Sequence, residues 1–270
     1  MSMAAASITD CFQKNAVVVF VGAHPDDETT IGPLLAWAAD RCRKVLMVSL
    51  TRGDGGWNLN REDLTRTLAE VREAEFAEAA RVLGCRPVTY RYLNGASLAH
   101  PRGLAVPDSE ETAWRRWQTQ GDKGRTAESI YAEWTRDGGD PADRLLELFR
   151  REEATVILAL EPRNGYTGHP EHVAATQATL KATKAYAQTT GAAVVMYYVW
   201  KPSEEVEGGE RISSAALAAA GGKDYLRIAN ESWACHESQF GPRGSQKSVK
   251  YIAGGVPQCL LQAVPLGRDP

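Results

Sequence analysis

Apolar and polar residues alternate along this chain in blocks of two kinds. Short apolar runs rich in β-branched residues are typical of buried parallel strands; they occupy 17–21, 44–50, 88–93, 155–160 and 193–200. Segments with apolar residues every three or four positions are typical of helices; they occupy 28–40, 64–83, 142–151 and 170–190. This alternation predicts an α/β fold whose mostly parallel sheet carries helices on both faces.

Two stretches depart from the alternation. Residues 95–139 are polar but contain Trp114, Trp117 and Trp134, and they are predicted to form an inserted loop region near the active site, after the third strand. Residues 202–222 mix charged residues with Gly and Ala, and they are predicted to form a loop with a short helix. Neither stretch has the composition of a linker, so the prediction is a single Rossmann-like domain over residues 1–270.

Composition excludes several classes of protein. The net charge is −3 and the pI about 6.0, which does not favour a broad basic surface for nucleic acid. No apolar run reaches the roughly 18–20 residues that cross a bilayer, and the first residues lack a signal-like core. The five cysteines are odd in number, far apart and in no Cys-x-x-Cys pair, which favours a reducing cytoplasm over a disulfide framework. Homo-oligomer formation is left open.

Histidine is concentrated where chemistry is expected. Four of the five histidines lie in three short motifs, Ala-His-Pro-Asp-Asp-Glu at 23–28, Gly-His-Pro-Glu-His at 168–172 and His-Glu-Ser-Gln at 236–239. The first two motifs follow predicted strands, and ligands bind at the carboxyl ends of parallel strands. His24, Asp27 and His172 supply two imidazoles and a carboxylate, a ligand set for Zn²⁺ with one position open to water; other divalent transition metals are alternatives. The pattern predicts a metal-dependent hydrolase.

These motifs also carry a family resemblance. Together with Thr-Arg-Gly-Asp-Gly-Gly at 51–56 and Arg-Glu-Ala-Glu at 72–75, they resemble the PIG-L (LmbE-like) family of zinc N-deacetylases, over 17–93 and 155–240. The family removes acetyl groups from N-acetylglucosamine units on inositol, malate, other sugars or antibiotic scaffolds, and some members cleave amides of mycothiol-type conjugates. The resemblance implies zinc on His24, Asp27 and His172, Asp26 as general base, and His169 as the group that holds or protonates the tetrahedral intermediate.

Further residues are candidates for supporting roles. Glu171, where many members have Asp, is expected to orient one of the histidines as a carboxylate partner. Candidate contacts to an amino-sugar substrate are Arg52, Asp54, Asn94, Tyr166 and His236. Asn94 stands where Asp is common in the family, and Arg52 with Asp54 has an ordinary tight turn as its alternative. Arg72 and Glu75 are interpreted as a structural pair on a helix, and the aromatics of 95–139 either stack on sugar or pack locally.

Three other functions compete with N-deacetylation. The first is an amidase that cleaves a larger acyl group or conjugate from an amino sugar. The second is a metal-binding but inactive partner subunit, and the third is a non-catalytic Rossmann-like nucleotide-binding protein. The first strand is followed by Gly-Ala-His-Pro-Asp-Asp, not by Gly-x-Gly-x-x-Gly, and carboxylates at that point would repel a pyrophosphate. The sequence therefore favours the hydrolase.

Overall fold

The computed structural model describes residues 7–56, 58–59, 65–94, 125–191, 193–245 and 257–266. Its strands are β1 (Val17–Gly22), β2 (Lys44–Thr51), β3 (Arg86–Tyr92), β4 (Val156–Leu160), β5 (Val195–Trp200), β6 (Gly209–Ser213) and β7 (Gln258–Ala263). They form one sheet in the order β3-β2-β1-β4-β5-β7-β6. The first five strands are parallel, and β7 runs antiparallel to β5 and β6. The predicted α/β fold with a mostly parallel sheet is confirmed.

Helices cover both faces of the sheet. They are α1 (Gly32–Arg41), α2 (Leu68–Leu83), α3 (Ala127–Gly138), α4 (Pro141–Glu152), α5 (Pro170–Thr190), α6 (Ser214–Gly221), α7 (Tyr225–Trp233) and α8 (Glu237–Phe240). Val18 and Phe20 of β1 pack with residues of α1, α2 and α7, while Val17 and Val19 pack with residues of α3, α4 and α5. Both faces of β1 are therefore buried, which is why its sequence is apolar without alternation. None of the helices in the described ranges is both long and apolar enough to span a bilayer.

Several predicted boundaries shift for local reasons. The helix predicted from residue 64 begins at Leu68, because Thr67 and Glu70 form a capping box that ends the preceding segment. Within 28–40, a short 3-10 turn over Asp27–Thr30 precedes α1. The helix at 170–190 is confirmed to the residue.

The last third of the chain contains more regular structure than predicted. The short helix predicted within 202–222 is confirmed as α6, but the strand β6 in the same stretch was not predicted. The strand β7 was not predicted, although Cys259, Leu260 and Leu261 are an apolar run. It inserts between β5 and β6, and this placement depends on partners distant in sequence.

The predicted insertion at 95–139 ends in a helix. In α3, Ile130 and Trp134 lie one turn apart, and both are buried in the core on the face of the sheet that α4 and α5 also cover. The Trp134 indole N–H donates to the Leu93 carbonyl oxygen (2.8 Å). Trp134 is 1% exposed, so for this residue the structure favours local packing over stacking on sugar. Trp114 and Trp117 lie outside the described residues.

Candidate active site

The turn after β1 fixes the Asp27 carboxylate. Its Oδ2 accepts hydrogen bonds from the backbone N–H of Ala23 (2.7 Å) and of His24 (3.0 Å). This fold-back requires glycine at position 22, because a Cβ there would lie 2.7 Å from both the Cβ and the Oδ2 of Asp27. With Oδ2 engaged by the backbone, Oδ1 is the oxygen directed at the two histidines.

Each of those histidines has one ring nitrogen occupied by an acceptor. Nδ1 of His172 donates to the Gly165 carbonyl oxygen (2.7 Å), and Nε2 of His24 donates to Oε2 of Glu171 (2.6 Å). A carbonyl or carboxylate oxygen accepts a proton and cannot supply one. The nitrogens left over, Nε2 of His172 and Nδ1 of His24, are therefore the atoms available for a metal.

These two nitrogens and Oδ1 of Asp27 converge. The Nδ1–Nε2 distance between His24 and His172 is 2.9 Å, Nε2 of His172 lies 3.0 Å from Oδ1, and Nδ1 of His24 lies 3.9 Å from it. A tetrahedral Zn²⁺ with bonds of about 2.0–2.2 Å separates its ligands by about 3.3–3.5 Å. The donor set and its spacing fit a small divalent ion.

The titration of the two imidazoles reflects the same convergence. Burial lowers the pKa of His24 to about 4, against the opposing charge of Asp27. Burial also disfavours the charged form of His172, but the charge and hydrogen bond of Asp27 outweigh it and raise the pKa to about 9. When no ion is bound, a proton on His172 therefore balances the Asp27 carboxylate, in the position that a cation would take.

His169 lies beside this group. It is the N-cap residue of α5 and is partly exposed. Its ring centroid is 4.6 Å from that of His24 and 5.1 Å from that of His172. The candidate ligand atoms of the three histidines lie within 4.8 Å of one another. His169 can therefore contact a group held at the other two histidines.

Asp26 is held by a buried arginine. Arg72 of α2 is 4% exposed, and its guanidinium donates to Oδ1 of Asp26 (3.0 Å) and to the carbonyl oxygens of Gly53 (2.9 Å) and Pro25 (3.0 Å). Burial raises the pKa of Asp26 and the Arg72 charge opposes this rise. Gly53 has φ +65°, and a Cβ there would approach Arg72 Nη1 to 2.2 Å. The glycine-rich loop after β2 thus makes room for Arg72.

The role of Arg72 was missed by the sequence analysis, which paired it with Glu75. The structure instead directs Glu75 to the third motif, where it accepts from the backbone N–H (2.7 Å) and hydroxyl (2.6 Å) of Ser238. The sequence did contain a signal for the buried role of Arg72. Arg72 lies four residues after Leu68 and four before Phe76, on the apolar face of the helix, where an unpartnered charge would be costly.

His236 contacts the first motif through Glu28 in the protein interior. Its side chain is fully buried, and Nε2 lies 2.5 Å from Oε1 of the equally buried Glu28. The charges of Glu28, Asp26 and Glu75 raise the pKa of His236 against the effect of burial, which lowers it. The expected direct contact of His236 with substrate is not met in this structure, because no part of the side chain is exposed.

The other predicted substrate contacts lie at the same edge of the sheet. Arg52 pairs with Glu73 of α2 through two nitrogens (2.8 and 2.9 Å). Asp54 is half-buried in the loop after β2. Tyr166 is half-buried with φ 68° in the loop before α5. Asn94 follows β3 and donates to the carboxylate of Glu171 (3.0 Å), so its amide faces the ligand set.

The chain is similar to known proteins in sequence and in fold. The model of the PIG-L family, described as GlcNAc-PI de-N-acetylase, matches residues 19–183. The 1D-myo-inositol 2-acetamido-2-deoxy-alpha-D-glucopyranoside deacetylase 2 of Saccharopolyspora erythraea is 30% identical over 171 residues, or 61% of this chain and 55% of the relative. Deacetylase 3 of the same description, from Catenulispora acidiphila, is 28% identical over 261 residues, or 93% of this chain and 65% of the relative. This chain spans less than two thirds of the length of either relative.

Among solved structures, N,N'-diacetylchitobiose deacetylase from Pyrococcus horikoshii superposes with a TM-score of 0.61 at 16% identity, covering 96% of this chain and 88% of that one. At this identity the likeness demonstrates a shared fold.

Proposed function

This chain belongs to the PIG-L (GlcNAc-PI de-N-acetylase) family, and on that premise we propose that it is a metal-dependent hydrolase that removes the acetyl group from an N-acetylglucosamine-type sugar or glycoconjugate. One observation carries the proposal. Two imidazole nitrogens and a carboxylate oxygen converge within 2.9–3.9 Å of one another, and both imidazoles are oriented by acceptors on their far side. Such an arrangement suits a cation, because both imidazoles in their neutral form direct a lone pair at the point that the Asp27 carboxylate oxygen also faces.

We assign the metal to His24, Asp27 and His172. Two nitrogen ligands and one oxygen ligand with no thiolate favour Zn²⁺, with Fe²⁺, Co²⁺ or Ni²⁺ as alternatives. A bound divalent ion supplies Lewis acidity, which acidifies water and polarises an amide carbonyl. The partners of the two imidazoles, Gly165 and Glu171, keep the lone pairs directed at the ion.

Asp26 acts as the general base. It takes one proton from the attacking water, and the remaining hydroxyl adds to the acetyl carbonyl carbon to give a tetrahedral intermediate. Burial raises the basicity of its carboxylate, while the hydrogen bond from Arg72 fixes one oxygen and leaves the other to collect the proton. Arg72 is therefore a positioning residue for the base.

His169 acts on the intermediate. Its partly exposed ring lies beside the metal ligands, where it can donate a hydrogen bond to the oxygen that gains negative charge. Collapse of the intermediate breaks the C–N bond, and the leaving nitrogen takes up the proton that Asp26 removed from the water, so that the base is regenerated. The products are acetate and a free amino sugar.

The proposed cellular setting is the cytoplasm, and the cysteines support it. All five cysteines are unpaired, which supports a reducing, cytoplasmic compartment. The substrate partner is a small amino-sugar compound, as the names of the two relatives suggest.

The test is release of a primary amine from N-acetylated sugars. The zinc-loaded chain is assayed with N-acetylglucosaminyl-inositol, diacetylchitobiose and N-acetylglucosamine, each also as its butyramide to detect preference for a larger acyl group. We expect amine release that is abolished by chelation and restored by Zn²⁺. Asp26→Asn should keep the metal and lose about 10²–10⁴-fold in rate, whereas the exposed control Asp137→Asn should match wild type.

Two results would contradict the proposal. Wild-type turnover by a fully metal-loaded Asp26→Asn variant would remove Asp26 as the base. If the loaded chain released amine from none of the acetamides or butyramides, the hydrolase proposal itself would be wrong.

A further inference from the structure

Glu171 is the only described carboxylate that contacts the far side of His24, and it is itself fully buried. Three segments distant in sequence converge on it. Oε2 accepts from Nε2 of His24 (2.6 Å) and from the amide of Asn94 (3.0 Å), and Oε1 accepts from Nη1 of Arg125 (3.2 Å). The carboxylate is thus held by the turn after β1, the end of β3 and the residue before the N-cap of α3.

A buried carboxylate needs compensation for its charge. Removing one partner of a buried ion pair is destabilising because the other charge stays out of water without compensation. Among the residues that the structure describes, Arg125 is a cation that contacts Glu171, and its guanidinium also contacts Glu133 of α3. The side chain is 22% exposed, so the pair is largely shielded from solvent. A chain of contacts therefore runs from α3 through Arg125 and Glu171 to His24.

The residue at position 94 also affects how well the buried charge of Glu171 is compensated. An amide nitrogen can donate to Oε2 of Glu171 at 3.0 Å, but an aspartate there would bring a second anion to that distance. Asn94 and Glu171 are therefore matched in charge. They are also matched in length, since shortening Glu171 by one methylene would withdraw its carboxylate by about 1.5 Å from Asn94 and His24.

We infer that Arg125 and Asn94 are positioning residues for the metal ligand His24, acting through the carboxylate of Glu171. This rests on the metal role of His24 in the proposed function. Held on three sides, the carboxylate keeps Nε2 of His24 as the donor and directs the Nδ1 lone pair at the metal. Without Arg125 or the Asn94 amide, the carboxylate loses that hold, and the imidazole is no longer kept in the metal-binding orientation.

The inference is tested by metal affinity, without any substrate. The full chain is stripped of metal, and the Zn²⁺ dissociation constant is measured by competition with a chromophoric chelator. Arg125→Gln and Asn94→Asp should each raise the dissociation constant about 10–100-fold, the usual effect of removing a partner of a metal ligand. Arg125→Lys, which keeps the charge, should recover most of the affinity. The control is Arg136→Gln, on the exposed side of α3, where Arg136 pairs with Asp137.

Thermal unfolding of the metal-free variants separates positioning from folding. We expect Arg125→Lys and Asn94→Asp to unfold cooperatively, so that affinity is measured on folded protein even if Arg125→Gln does not fold. Wild-type affinity in Asn94→Asp would overturn the inference, whether or not Arg125→Gln folds, and so would wild-type affinity in a folded Arg125→Gln variant. So would equal weakening by Arg136→Gln, because the effect would then be general to α3.

The outcome is distinguishable from failure of the proposed function. If the chain binds Zn²⁺ in an Arg125-dependent manner but releases no amine, the inference stands and the deacetylase proposal fails. If the chain is an active deacetylase whose Zn²⁺ affinity ignores both substitutions, the inference alone fails.

Discussion

Gly22→Ala should weaken metal binding without touching a ligand. A Cβ at this position would lie 2.7 Å from the Cβ and from the Oδ2 of Asp27, whereas carbon atoms pack at about 3.5–4.0 Å. Asp27 must therefore retreat by about 0.8 Å, which would stretch its 2.7 Å bond from the Ala23 N–H to about 3.5 Å, beyond a normal hydrogen bond.

The steric clash of the new methyl group with Asp27 destabilises mainly the metal-bound form. Without an ion, Asp27 can swing away from the new methyl group, but a bound ion requires it in place. Overpacking in a rigid site costs about 1–3 kcal/mol, which corresponds to a dissociation constant raised about 5- to 150-fold. The assay is chelator competition for Zn²⁺ on the metal-stripped chain.

Gly56→Ala is the matched control. It makes the same change in the neighbouring glycine-rich loop, but its Cβ would meet other atoms only at 3.4 Å and beyond, which is ordinary contact. We expect its Zn²⁺ affinity to stay within about twofold of wild type. If Gly22→Ala bound Zn²⁺ as tightly as the control, Asp27 would not be a ligand held in the position described, and the reasoning would be refuted.

Three further results are expected. His169→Ala should lower kcat about 10²–10³-fold with metal content unchanged; steady-state kinetics showing only a raised KM would make His169 a ground-state contact. Trp134→Ala should lower the free energy of unfolding in urea by about 3–5 kcal/mol with Zn²⁺ affinity unchanged, and wild-type stability would contradict its place in the core. The hydrogen bond from Lys44 lowers the pKa of Glu152, so this carboxylate stabilises the fold above the ordinary glutamate pKa and less as the pH falls through its lowered value. The Tm deficit of Glu152→Gln should therefore be largest near neutral pH and narrow below about pH 4; a deficit independent of pH would exclude the charge as its cause.

Local sequence was sufficient where one segment carries its own signals. The helix at 170–190 has a proline in its first turn and a glycine directly after its last residue, so both ends were predicted to the residue. In the structure this glycine has a positive φ. The boundary at Leu68 was missed because Leu64 continues the apolar period while Thr67 interrupts it with a cap. The strand β7 was missed since its edges are defined by β5 and β6, which lie earlier in the chain.

The sequence by itself determined the α/β class and the placement of two histidine motifs at the same sheet edge, because parallel strands bring their carboxyl ends together. Only the tertiary structure decided which side chains support those motifs. Arg72 reaches Asp26 from a helix 46 positions later, and His236 reaches Glu28 across 208. Such contacts depend on how whole helices pack against the sheet and against one another. No local pattern of residues specifies that packing.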